Sequence, residues 1–187
     1  MSISGRAEIC GAEGLDLPPD LTPALNGLLA YWLGMPRDGG RLPRKKRFDP
    51  LDLPGLWHGL VLMEFCGVPD RLDDLVIRYS GEWVDARHGC SMVGERLSSL
   101  VDEAEFHRSM PDLRLAAQNG APHYSSGQHE HRKRGLVNYE RLVVPFADEA
   151  GEPAYLVGMW HWPSHRTGEA GGDLHHVSSR KPASVKS

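Results

Sequence analysis

Two β-rich runs near the C-terminal end dominate the hydrophobic pattern of this chain. Residues 137–146 and 155–162 hold Val, Tyr, Leu, Phe, Trp and Met, types that suit a pleated, half-buried surface. Residues 147–153 between them (ADEAGEP) carry Gly151 and Pro153, so the chain should turn back on itself there. Pro145 has no N–H to donate and needs a place near a strand end or sheet edge. The pattern predicts a long antiparallel hairpin. Two strands alone are only marginally stable in water, so other elements must cover it.

The rest of the chain supplies candidates. Thr22-Pro23 reads as an N-cap followed by Pro at the first helical position. Leu25, Leu28, Leu29 and Trp32 follow at helical spacing, up to Gly34 and Pro36. Residues 60–66 (LVLMEFC) and 74–79 (DLVIRY) read as two strands joined by a turn at Val68-Pro69-Asp70. Residues 80–86 and 91–100 read as short helical turns. Residues 103–119 form the strongest second helix, with Phe106, Met110, Leu113 and Ala117 on one face and Asn119-Gly120 as its stop. Pro111 inside it predicts a kink or a helix start nearby. Residues 122–131 (PHYSSGQHEH) alternate weakly and read as an edge strand, with Gly127 inviting a bulge. Two strands, then helices, then three strands is an α+β order with the helices gathered on one side of an antiparallel sheet.

Composition bounds the function classes. The chain has 187 residues, 40% of them apolar, and a net charge of −4, which suits one well-buried domain with tails and argues against a phosphate-neutralising protein. The expected domain spans residues 17–163, with a mobile leader at 1–16 and a disordered tail at 164–187. Cys10, Cys66 and Cys90 form neither a disulfide framework nor a four-thiolate zinc site. No apolar run approaches the ~20 residues of a membrane span, so a cytoplasmic protein is expected. The basic loop with Arg41, Arg44, Lys45, Lys46 and Arg47 lacks interleaved aromatics, and a solvated connection is preferred over a nucleic-acid site.

The residues that carry a family likeness can now be put in order. They are Tyr31-Trp32, Pro43-Arg44 leading to Phe48-Asp49-Pro50, then Ile77-Arg78-Tyr79-Ser80-Gly81. Gly89 and Gly94 follow, then Tyr139-Glu140-Arg141 with Val144-Pro145-Phe146. From about Leu25 to Trp162 the chain resembles a PAS domain, in particular a bacterial family of small stand-alone PAS-like proteins. The resemblance implies a five-stranded antiparallel sheet with short helices on one face and an N-terminal helix. It implies a sensory or regulatory module that binds a small ligand or a protein partner, signalling through dimer or partner contacts. A homodimer through Leu25, Leu28, Leu29 and Trp32 is the expected assembly. No output domain is visible, so a separate signalling protein is the expected recipient.

Ligand-binding candidates are the aromatic and cationic residues near the expected pocket: Tyr79, Trp83, Tyr124, Tyr139, Arg141 and Trp160. Arg141 or Arg78 could grip a carboxylate with both arms of the guanidinium fork. The plain alternative is that the aromatics fill the core and the arginines sit outside. His107 on the long helix is the residue a haem would recruit. His123, His129 and His131 share one strand face and could take a metal, with His88 and Cys90 as further ligands. Solvated histidines are the preferred reading in both cases, and no metal site is assigned. Ser80-Gly81-Glu82-Trp83 stands where a flavin photosensor would carry its cysteine motif, which disfavours a flavin–cysteine photocycle. No catalytic residue is assigned. The rival reading is a small α+β enzyme of the cone-shaped isomerase or hydrolase type, with Glu140 or His161 as base.

Overall fold

The computed structural model describes residues 17–66, 72–131 and 135–162; the leader and tail expected from composition lie outside them. Helix α1 runs Pro23–Gly34, strands β1 and β2 run Leu60–Cys66 and Asp74–Ser80, and helices α2, α3 and α4 run Glu82–His88, Leu97–Leu100 and Glu103–Asn119. Strands β3 (His123–His131), β4 (Gly135–Ala147) and β5 (Pro153–His161) complete a five-stranded antiparallel sheet in the order β2-β1-β5-β4-β3. The five antiparallel strands and the N-terminal helix are those that the resemblance implies.

The ends of the elements follow local chemistry. Asp102 caps α4 by accepting from the Glu105 amide at 2.8 Å, and Gly120 closes it at φ 60°, a left-handed conformation that glycine adopts without strain. The β4–β5 turn is held by Asp148, whose Oδ1 accepts from the Gly151 and Glu152 amides at 2.9 and 3.0 Å. Pro145 lies beyond Val143, the last β4 residue paired with β3. Its missing donor therefore faces no strand on that side. Its carbonyl accepts from the Trp32 indole at 2.7 Å.

The sheet is covered twice. On one face α1 buries Leu25, Leu28, Leu29 and Trp32 against Leu60, Leu62, Leu142, Val144, Phe146 and Val157. On the other, Val84 of α2 and Met110, Leu113 and Ala117 of α4 pack on Val61, Met63, Leu75, Ile77, Val143 and Leu156. Only the helices after β2 share one side; α1 occupies the opposite one. Both faces being apolar explains why Leu60–Met63 is buried throughout rather than alternating.

Other local expectations are modified. Helix α4 continues through Pro111. The ring leaves the His107 carbonyl without its helical donor, on the helix face where His107, Arg108 and Pro111 are exposed and water can serve instead. Of residues 91–100, only Leu97–Leu100 is helical, because the preceding stretch pairs with the edge of β2: the Ile77 amide donates to the Glu95 carbonyl and the Gly94 amide to the Ile77 carbonyl. Gly127 causes no bulge. The β3–β4 register is unbroken, and the Tyr139 ring lies over the glycine, its hydroxyl 3.1 Å from where a Cβ would stand.

The basic loop is tied down inside the chain. Arg41 donates to the Gln118 carbonyl and Arg44 to the carbonyls of Asp148 and Glu149. Lys46 pairs with Glu149 and Arg47 with Asp38. The loop thus clasps the β4–β5 turn and the end of α4.

The four side chains expected at a dimer interface are at most 4% exposed on the chain's own sheet. A dimer built on them would require α1 to leave that sheet. Leu28→Ala is therefore expected to destabilise the fold by about 2–5 kcal/mol, with a melting temperature that does not depend on protein concentration. A melting temperature that rises steadily over a hundredfold concentration range would show instead that this face is shared between copies.

Candidate functional site

Between the sheet and the helical layer of α2, α3 and α4 lies a cavity of about 80 Å³. Val61, Met63 and Ile77 form its sheet wall, and Val84, Leu97, Leu100 and Leu113 its helical wall, joined by Met92 from the α2–α3 connection. Glu105 and Ser109, at i and i+4 positions with Leu113, place one stripe of α4 toward it. The serine is too small to fill the space a leucine would take. Arg141 of β4 and Trp160 of β5 close the remaining side, directly opposite each other in the strand register.

Arg141 is the unusual group. It is 8% exposed, and its Nε donates to the Ser125 hydroxyl at 3.0 Å. Its guanidinium lies 5.7 Å from the Trp160 ring centroid. Among the described residues no carboxylate lies within ion-pairing distance of it. Burial lowers its pKa, while Tyr139 and Asp112 act in the opposite direction. A guanidinium does not give up its proton in a protein, so the cation stays buried at a cost in solvation.

The acids nearby are engaged elsewhere. Asp112 stands 3.5 Å from His123 Nε2. Glu105 Oε1 accepts from the Ser109 hydroxyl at 2.9 Å, and Oε2 pairs with Arg108.

Gly158 shapes the site from below. A Cβ there would stand 2.8 Å from Cη2 of the Trp160 indole and closer still to Cζ3. The indole therefore lies flat along β5 over a position that only glycine leaves open.

The sequence-derived ligand candidates separate by sheet face. Arg141 and Trp160 line the cavity, and Tyr139 packs beside it on the same face. Tyr79 and Tyr124 pack with the α1 cluster on the other face, where burial pushes both phenols up. Trp83 is half exposed on α2 and stacked on His58, whose imidazole also contacts the Trp57 ring at 3.6 Å between centroids. Glu105, Ser109, His88 and Met92 were not foreseen as lining residues. The 105/109/113 spacing was the one signal available for the α4 pair.

His107 points to solvent, 72% exposed and 3.6 Å from Glu103. The side chains of His129 and His131 lie outside the described residues, and among those described no cluster of three metal-ligating side chains occurs. Cys90 is exposed, and burial pushes the Cys66 thiol up. Glu140 and His161 are cross-strand partners outside the cavity. No helix among the described residues is long and apolar enough to cross a membrane.

No family model matches the chain, and no curated protein matches it. Among solved structures, the PAS domain of Bordetella pertussis BvgS is similar at 14% identity, over 63% of this chain and 85% of that one, with a TM-score of 0.46. The PAS domain of a Colwellia psychrerythraea protein shares 12% identity over 61% of this chain and 97% of its own, at 0.43. The LOV domain of the blue-light photoreceptor Aureochrome1 shares 16% over 57% and 82%, at 0.41.

Gly158→Ala is expected to lift the Trp160 indole off the strand toward the cavity, costing about 1–3 kcal/mol. A changed near-ultraviolet circular dichroism spectrum with unchanged far-ultraviolet signal would report it. Identical spectra and stability would show that the indole does not depend on this glycine.

Proposed function

We propose that this chain is a sensory module of PAS type, in which a small molecule occupies the cavity between the sheet and helices α2–α4. The observation that carries the reading is that cavity: mostly apolar walls around one buried cation. Ligand sites commonly combine a largely apolar wall with a few placed polar groups. At about 80 Å³ the space is well below the ~300–1,000 Å³ of drug-sized sites, so the ligand is small.

Signalling follows as a population shift. Helices α2 and α3 are short and rest on the same side chains that line the cavity. A ligand touching both layers favours the helical arrangement that fits it, by no more than its difference in affinity between arrangements. The output passes to a separate protein or a second copy in the cytoplasm. Because the apolar stripe of α1 is occupied, such a contact uses another surface as long as α1 stays docked.

A small enzyme with Glu140 or His161 as base draws no support from this cavity, since neither residue lines it.

Protein purified from its own host should carry a small molecule visible by native mass spectrometry. Its removal should speed amide exchange in α2 and α4. Val84→Phe, which fills the cavity from the α2 side, should fold yet carry nothing. An empty wild-type protein whose exchange matches that of the filled variant would end the sensing proposal.

A further inference from the structure

The chemical class of the ligand can be narrowed from the same wall, on the premise that the cavity is a sensing site. We infer that it takes a short-chain monocarboxylate, with the carboxylate on the Arg141 guanidinium and the alkyl end among the apolar side chains.

Three observations converge. Arg141 has five N–H donors in a planar fork, of which one has a partner among the described residues, the Ser125 hydroxyl. The fork matches a carboxylate's two oxygens, and the residue is 8% exposed beside a cavity it helps to line. A buried charge is stable only when paired and hydrogen-bonded, and no described acid pairs with this one. An anion entering the cavity supplies both needs at once.

Size and surroundings then restrict the anion. An apolar cavity of ~150 Å³ takes up benzene, with its six heavy atoms; in proportion the 80 Å³ here holds roughly three to four, the size of acetate. Val61, Met63, Ile77, Leu97 and Leu113 offer nothing to a second charge. The other charged group on the wall known to be engaged is the Glu105 carboxylate, held by Ser109 and Arg108. The second charge of a dicarboxylate or a phosphate would face this carboxylate with no cation of its own to pair with. One negative end and a short apolar tail is the pattern that remains.

Wild-type protein, freed of bound molecules by partial unfolding and refolding, can be titrated with acetate, propionate and butyrate at constant ionic strength. Acetamide, propionamide, succinate, hexanoate and inorganic phosphate serve as contrasts. The expected result is a melting-temperature rise of about 5–10 °C at a hundredfold excess over Kd for acetate, little for the contrasts, and none for Arg141→Met. That variant should also be more stable than wild type without ligand, because an unpaired buried charge is gone. Should the variant not fold, the side-chain Nε–H resonance of Arg141 in ¹⁵N-arginine-labelled wild type must shift with acetate and not with acetamide.

If the amides stabilise as well as the acids, or the Nε–H resonance ignores the acids, the carboxylate assignment is wrong while the cavity still binds. If no compound acts and host-purified protein is empty, the sensing premise fails with it.

Discussion

A sheet that is apolar on both faces has to be covered on both, and most features of this molecule answer that demand. Strands β1, β5 and β4 sit in the middle of the sheet and send alternate side chains into two separate clusters. Each fully buried Leu or Val contributes about 1.5–3 kcal/mol, so leaving either face wet would remove much of the net stability of a domain this size. Helix α1 has 12 residues and would not persist alone in water. Helix and sheet therefore stabilise each other, and the Trp32–Pro145 hydrogen bond fixes where they meet.

That mutual dependence changes what the apolar stripe of α1 means. From the sequence, four large side chains on a short helix could face a partner or the chain's own sheet with equal logic. The same spacing satisfies both. Strand positions, the main turn at residues 147–153 and the two long helices were legible because periodicity, Asp/Gly turn chemistry and capping act locally. Which sheet face each aromatic occupies was not, because it depends on register. Tyr79 and Tyr124 fall on the α1 side, while Tyr139 and Trp160 fall on the other, and no local signal separates them. Gly127 misled for a related reason: cover by a cross-strand Tyr139 ring compensates for a missing side chain without a bulge.

The layer over the second face is the less complete of the two. Ser109 stands on α4 where a larger side chain would touch the sheet, and Gly158 lets the Trp160 indole lie down instead of standing into the gap. Arg141 borders the space so formed. In a layer built for stability alone, an apolar residue of similar volume would serve as well or better there. The gap in packing and the buried charge occur at the same place.

The Trp32–Pro145 bond joins residues 113 positions apart. A chain made from its N-terminal end therefore produces α1 long before the strands that will receive it. Until β4 and β5 emerge from the ribosome, Leu25, Leu28 and Leu29 have no native surface to rest on. The helix made first is among the last to be seated, and during that wait its leucines are open to chaperones and to neighbouring nascent chains.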